Sequence, residues 1–294
     1  MVIPSLIFDR YGTPIHAPMP WDALWGMKPK SPDREETPMD YNYHTHTARC
    51  GHASGEDEEY VLRAISCGVR HMGFSDHMPL SFADGHESYF RVPIARTEDY
   101  FASVRRLADK YRDQITIHAG FEMEYYPSRF EEMVALARGY GADYLICGQH
   151  YIGEEWPNGT YVAFANDSPA HLEEYADCVV AAIRSGVFTY VAHPDLFRYT
   201  GDPAHYEAQA RRICEASLEH NVPLELNLLG IRAGRHYPEE RFWVIAGQTG
   251  CPVTFGFDAH SPEDAYDKIS LAAVHEMVAK HALNYIGRPD LVLL

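Results

Sequence analysis

The sequence predicts an α/β fold, a barrel of seven strand–helix units behind a proline-rich N-terminal extension. Three observations predict it. Seven short apolar runs alternate with seven longer segments of helical spacing, and that alternation implies parallel βαβ units. Seven units suit a closed or nearly closed barrel better than an open sheet. The chain has 294 residues, and one α/β barrel needs about 250.

Residues 1–40 come first and differ from the rest. They carry Pro4, Pro14, Pro18, Pro20, Pro29, Pro32 and Pro38 with Trp21 and Trp25. So many prolines exclude long helices. The aromatics favour a strap packed on the main domain or on a partner over a disordered arm. The expected division is an irregular extension over 1–40 and a barrel domain over 41–294.

The predicted strands are Tyr41–His44, His71–Ser75, Ile115–Gly120, Tyr144–Cys147, Thr189–Ala192, Leu224–Leu226 and Val253–Phe255. The predicted helices span 55–67, 97–113, 129–140, 169–185, 203–220, 238–248 and 262–282. Ser168-Pro169, Asp202-Pro203 and Ser261-Pro262 each offer an N-cap followed by a proline at the first helical position. Gly68, Gly141 and Gly186 sit where C-terminal glycines belong. The acidic runs Glu56–Glu59 and Glu131-Glu132 suit positive helix N-termini.

Lys+Arg number 25 against 42 Asp+Glu, a net charge of −17. That argues against nucleic-acid polymers and acidic membranes as partners. Small anionic substrates remain compatible, because bound metals reverse the local sign. No apolar run approaches a membrane span, and MVIPSLIFDR lacks the basic n-region and apolar h-region of a signal peptide. The six cysteines are scattered without a CxxC pair, which points to a reduced cytoplasmic setting without a disulfide framework.

The unusual count is 17 histidines. They fall, with carboxylates, at the predicted strand ends: His44-Thr45-His46 and Cys50-Gly51-His52, Ser75-Asp76-His77, Gly120-Phe121-Glu122, Gln149-His150, His193-Pro194-Asp195, Glu225-Leu226-Asn227, and Asp258-Ala259-His260. C-terminal strand ends converge on one face of a parallel barrel, where active sites are built. Residues i and i+2 of a strand point the same way, so His44 and His46 can share one metal. Any one of these histidines alone reads as a hydrogen-bonded structural residue. The joint pattern reads as a metal site with nitrogen and oxygen donors, suited to Zn, Fe or Mn.

The ordered set HxH, CxH, SDH, GxE, HPD, ExN and DAH resembles the PHP (polymerase and histidinol phosphatase) family of metal-dependent phosphoesterases, built on a distorted (β/α)7 barrel. The resemblance covers about residues 41–262. It implies three divalent ions, Zn first with Fe or Mn as alternatives. His44, His46, Glu122 and Asp258 would hold the first. Glu122, as a bridge, with His150 and His193 would hold the second. His52, His77 and His260 would hold the third. The stretch Leu224–Arg232 followed by His236-Tyr237-Pro238 resembles the histidinol-phosphate phosphatase branch. The implied activity is hydrolysis of a small phosphate monoester, with histidinol phosphate as the leading substrate and another small phosphate ester or nucleotide as the alternative. Glu122, Asp258 and Arg232 are the expected catalytic residues. Arg232, Arg198 and Asn227 are the expected substrate contacts, with donation to a metal ligand as the alternative for Asn227 and with Arg49 and Arg91 as further candidates. Oligomeric state is left open.

Smaller expectations follow. Asp76 and Asp195 either orient the neighbouring imidazoles or cap helices. Phe257 stands where the branch has a small serine, and packing is its favoured role. His86 lies in a loop, Phe82–Val92, able to cover the site, and is expected to be exposed there. His118 is expected in the core or behind the site. An amidohydrolase also uses HxH on a barrel, but the extra CxH, SDH and DAH histidines fit the phosphoesterase better. A non-catalytic metal-stabilised module would show missing ligands, and all nine positions are filled.

Overall fold

The structure, a computed structural model, describes residues 7–8, 14–15, 39–82 and 84–294. The expected strap with Trp21 and Trp25, and His16, lie outside the described residues. Two short strands, β1 (Ile7–Phe8) and β2 (Pro14–Ile15), pair antiparallel.

The barrel begins with β3 (Tyr41–Asn42), β4 (His71–His77), β5 (Thr116–Met123) and β6 (Tyr144–Cys147), which form one parallel sheet in that order. A hairpin of β7 (Tyr151–Ile152) and β8 (Thr160–Tyr161) follows, and then β9 (Leu224–Asn227), β10 (Pro252–Gly256) and β11 (Asn284–Tyr285) form a second parallel sheet. Val191 bridges Cys147 on one side and Leu224 on the other, and Thr45 bridges Ala259. These contacts close the ring through seven strand positions. The expected fifth strand, Thr189–Ala192, is therefore reduced to a short ladder about Val191. His193 turns into left-handed backbone at φ 32°, and Pro194 has no N–H to extend the ladder.

Helices cover the outside. Asp57–Ser66, Ile94–Lys110, Phe130–Tyr140, Pro169–Ser185, Pro203–His220 and Glu240–Thr249 match six predicted segments to within a few residues. Ser168 and Asp202 cap their helices through side-chain oxygens, and Gly141 and Gly186 end theirs in left-handed backbone. The segment 262–282 differs. Pro262–Ala265 is a single 3₁₀ turn, Ser261 makes no side-chain cap, and the helix Lys268–His281 starts behind Asp267, which accepts from Ile269 N at 2.9 Å. Asp267 has the free amides it needs, so the cap forms there rather than at Ser261-Pro262. The hairpin and the short helix Leu228–Arg232 were not predicted.

Between sheet and helices lies one apolar core containing Trp243, Tyr60, Tyr100, Tyr144, Phe74, Phe121 and Phe255. Burying each such side chain contributes about 1.5–3 kcal/mol. Strand register then sets the site: His77 pairs with Glu122, and Gly256 with Asn227, at the same C-terminal edge.

Candidate metal centre

All nine residues expected as ligands meet at the C-terminal edge of the barrel. Their imidazoles form a continuous set. Ring centroids lie 4.2 Å apart for His46–His260, 4.4 Å for His46–His77, 4.7 Å for His52–His260, 5.1 Å for His77–His150, 5.1 Å for His150–His193 and 5.2 Å for His44–His46. Glu122 stands in the middle, 1% exposed. Its Oε1 lies 2.8 Å from His193 Nε2 and 3.4 Å from His150 Nε2. Its Oε2 lies 3.1 Å from His77 Nδ1 and 3.5 Å from both His44 Nε2 and His46 Nε2. One carboxylate thus serves two groups of histidines. Asp258 Oδ1 lies 3.2 Å from His46 Nε2 and 3.5 Å from His44 Nε2. His52 Nε2 and His260 Nε2 face each other at 2.9 Å.

The donor set fits divalent metal. His44 Nε2, His46 Nε2, His77 Nδ1, Glu122 Oε2, His193 Nδ1 and Asp258 Oδ1 are buried and lack a hydrogen-bond partner. Buried polar atoms are ordinarily satisfied. Several of these ligand atoms lie within 4.8 Å of one another in groups of three, including His44–His46–Glu122, His77–Glu122–His150 and His46–His77–His260. Cys50 lies near His46 and Asp76, but its thiol is engaged with the backbone. Its thiol donates to the Thr47 carbonyl, and burial beside Asp76 raises its pKa well above the usual value.

The cluster's charges hold one another. Burial disfavours charge on His44 and His46, but the carboxylates, Asp258 foremost, outweigh it. His44 is raised well above its ordinary pKa and His46 to about 9. Burial also opposes ionised Glu122 and Asp258. His150 and His77 around the first, and His44 and His260 around the second, nevertheless hold both well below the usual carboxylate range. Burial next to other histidines lowers His52 to about 3 and lowers His77 and His260. Two site residues sit in left-handed backbone, His193 at φ 32° and Asp258 at φ 49°. Such strain in residues other than glycine persists only where the surroundings hold it.

The far nitrogens of these rings are held from behind. Glu225 accepts from His44 Nδ1 at 2.9 Å, Glu124 from His150 Nδ1 at 2.9 Å, and Asp76 from His46 Nδ1 at 3.4 Å. Such partners set the tautomer and orientation of a ligating imidazole. Asp76 therefore orients an imidazole, although that of His46 rather than of its neighbour His77. Asp195 does not orient His193. It accepts from Trp243 Nε1 at 2.8 Å and from the Glu239 amide at the start of a helix, the capping role. Glu225 and Glu124 had been given no role. Their signal was the i+2 spacing, Glu122 to Glu124 and Glu225 to Asn227, at strand ends.

The expected substrate residues fare differently. Arg232 is committed elsewhere. Its Nε bonds Asp264 at 2.8 Å, and its Nη2 donates to the carbonyls of Phe257 and Asp258 at 3.2 Å each. It pins the loop that carries Asp258, while its Nη1 makes no hydrogen bond and lies 3.8 Å from Asp267. Asn227 takes its alternative role, donation to an expected ligand. Its Nδ2 donates to Glu225 at 2.7 Å and Asp258 at 3.0 Å, and its Oδ1 caps Gly230 N at 3.1 Å. Arg198 is exposed beside His236, and no hydrogen bond or ion pair ties it to the nine residues. Arg49 pairs with Asp57 and Asp99. Arg91 is buried and paired with Glu124 and Glu155. Sequence reasoning missed Arg235, an exposed residue whose pKa is raised by Tyr237, Tyr161 and Asp258. Phe257 is fully buried and packs on Tyr266. His86 is half-buried, stacked on Trp156 at 3.9 Å. His118 lies away from the site, beside Asp143.

A family model for the PHP domain matches residues 42–228. The chain belongs to the PHP family. Among curated relatives, the Bacillus subtilis histidinol-phosphatase is 25% identical over 251 residues, covering 75% of this chain and 93% of that one. A Deinococcus radiodurans protein named "Probable histidinol-phosphatase" is 26% identical over 224 residues, covering 74% and 85%. Among solved structures, the histidinol phosphate phosphatase from Lactococcus lactis, complexed with Zn, L-histidinol and phosphate, superposes with a TM-score of 0.64 at 18% identity. It covers 86% of this PHP chain and 99% of its own. That likeness establishes the shared barrel. Among the described residues, no helix is long and apolar enough to cross a membrane.

Proposed function

We propose that this PHP chain is a metal-dependent phosphoric monoester hydrolase that converts L-histidinol phosphate and water to L-histidinol and phosphate. The observation that carries the reading is the convergence of nine histidine and carboxylate side chains around bridging Glu122, with buried ligand atoms left without partners. Family membership supplies the reaction class, and the names of the relatives supply the substrate. Three ions are proposed, Zn first and Fe or Mn otherwise, held as His44–His46–Glu122–Asp258, Glu122–His150–His193 and His52–His77–His260. All six cysteines are unpaired, which supports the cytoplasmic setting proposed for a biosynthetic hydrolase.

When bound, divalent ions polarise the phosphate oxygens and lower the pKa of a coordinated water toward about 7. The chain's own residues do the rest. Asn227 and Glu225 hold Asp258 and His44 at the first position, and Asp76 holds His46. Arg235, an exposed cation whose pKa Asp258 helps to raise, is proposed to draw in the phosphate, with exposed Arg198 as a second cation for it. In the overall hydrolysis the water oxygen becomes the fourth oxygen of phosphate. The bond to the alcohol breaks, and the departing oxygen takes a proton.

The test is phosphate release from histidinol phosphate, other sugar and amino-alcohol phosphates, a mononucleotide and an oligonucleotide, on protein whose metals have been counted. A kcat/KM for histidinol phosphate far above the rest supports the reading. Uniformly weak rates with about three ions bound would assign the same chemistry to another small ester. No release from any ester would overturn the reading.

A further inference from the structure

Arg91 has an unusual place for an arginine on a loop. It lies between Phe90 and Val92, where the chain crosses from β4 to the next helix, and is only 2% exposed. Its Nη1 forms an ion pair with Glu124 Oε2 at 2.8 Å, an oxygen that accepts no hydrogen bond, while Nη1 donates to the Met78 carbonyl at 3.1 Å and Nε to Glu155 Oε2 at 2.6 Å. Glu124 is 1% exposed and turns its other oxygen, Oε1, to His150 Nδ1 at 2.9 Å. His150 Nε2 then looks at Glu122. Arginine, carboxylate and imidazole thus form one buried line ending at the metal-facing nitrogen. Phe90, next to Arg91, packs edge-on against both His77 and His150, with centroids 5.0 and 5.8 Å away. Glu155 comes from the β7–β8 hairpin, so the same arginine joins that hairpin to the loop.

We propose that Arg91 and Glu124 are positioning residues for His150: Arg91 engages one carboxylate oxygen, and the other is committed to Nδ1–H, leaving the Nε2 lone pair free for a metal. The inference rests on the proposed role of His150 as a ligand. Its logic is in the donor inventory. Arginine presents only positive charge and donors, an imidazole that ligates through Nε2 must carry its proton on Nδ1, and only a group with a negative oxygen on each side meets both, one by ion pairing and one by accepting Nδ1–H. A carboxylate has two. An amide has one oxygen and one NH₂.

Glu124→Gln keeps the shape and removes this symmetry. The amide oxygen must face Arg91, so the NH₂ faces Nδ1. Nδ1 becomes an acceptor, and the proton moves to Nε2, where it blocks the metal. Zn²⁺ affinity at this position is expected to fall about 10–100-fold, the usual loss for a partner behind a ligand. Removing Arg91 as well should restore binding, because the amide can then turn its oxygen to Nδ1. The comparison is made in a Glu155→Gln background, so that no carboxylate is left buried without its arginine. Adding Arg91→Met to Glu124→Gln should recover at least about fivefold in Zn²⁺ affinity, measured by chelator competition at a temperature where all variants are folded by circular dichroism. A merely structural role for Arg91 predicts the opposite sign, a further loss.

Should the Arg91 variant not fold, the tautomer is read directly. Metal-free protein labelled with ¹⁵N-histidine, with the His150 signals assigned by their absence in His150→Asn, should show the Nδ1–H form in wild type and the Nε2–H form in Glu124→Gln. The same tautomer in both, or Zn²⁺ affinity in Glu124→Gln within about twofold of wild type, would overturn the proposal. Wild-type protein that holds no ion at His150 would instead sink the ligand reading, and the tautomer measurement would still decide the role of the Arg91–Glu124 pair.

Discussion

The two ends of the same strands treat the same residue types differently. β4 begins with His71 and ends with His77, and β5 carries His118 near its start and Glu122 near its end. At the lower end His71 is half-buried, and His118 is 27% exposed, 3.8 Å from Asp143. That end is closed by the C-terminal segment. Leu294 N bonds the Asp143 carbonyl at 3.2 Å, Val292 N bonds Thr189 Oγ1 at 3.1 Å, and Leu293 bridges Tyr144. At the upper end, six residues along, His77 is buried with an unpartnered nitrogen, and Glu122 faces five histidines. What brings a histidine into the cluster is the end of the strand it occupies, because only there do the other strands and their loops bring complementary donors.

That contrast can be broken from the top. Glu122→Ala or Asp258→Ala should lower kcat/KM by about 10³-fold or more, since each removes a ligand the reaction depends on, while circular dichroism stays native. Retained turnover in the double variant, with metals counted, would end the assignment. Nearly as large an effect is expected from a residue with no chemistry. A Cβ on Gly148 would stand 1.9 Å from Glu122 Oε1, and one on Gly256 would stand 2.0 Å from Glu225 Oε2. Gly148→Ala must displace the central carboxylate of Glu122, so we expect about a 10²-fold loss of turnover. A wild-type rate would show that Glu122 has room to shift.

Removing metal sharpens the comparison next. Ions that bind only the folded state stabilise it by about 2.7 kcal/mol at a hundred times Kd. Chelation should therefore lower Tm by several degrees in wild type and markedly less in Glu122→Ala. Equal shifts would place the metal elsewhere. Behind the ligands, Glu225→Ala frees His44 Nδ1 and should weaken metal binding about 10–100-fold, seen by competition with a chelator.

The smallest effects belong to the lower end. Tyr144 donates to the Tyr43 carbonyl at 2.7 Å in the buried core. Tyr144→Phe leaves that carbonyl unpaired and should cost about 1–3 kcal/mol of stability with kcat/KM unchanged within about twofold. His118→Ala should shift stability by no more than about 0.5 kcal/mol and leave turnover alone. A His118 variant that lost activity would dissolve the distinction between the two ends.

Much of this molecule was written in short-range pattern. The strands and six of the helices follow from period and from caps such as Ser168-Pro169 and Gly141, which act within a turn of the chain. The convergence of His44, His46, His52, His77, Glu122, His150, His193, Asp258 and His260 was also legible, because parallel strands point their C-terminal ends the same way. The fates of the arginines were not. Arg91, Arg198 and Arg232 look alike as sequence, yet one is buried between two carboxylates, one is exposed and one is clamped by Asp264. The partner that decides each comes from a different part of the barrel.

The sequence by itself therefore determined the seven-unit barrel, the identity of the ligand-competent side chains and the end of the barrel they share. Only the tertiary structure decided that Glu225 stands behind His44 across 181 positions, that Asp195 caps a helix, that Asn227 serves Asp258, and that Arg232 pairs with Asp264 while holding the carbonyl of Asp258. The reason is physical. Local propensity and periodicity act over a few residues. Hydrogen bonds and ion pairs in a closed barrel depend on which strands lie side by side and on which charge reaches a donor first.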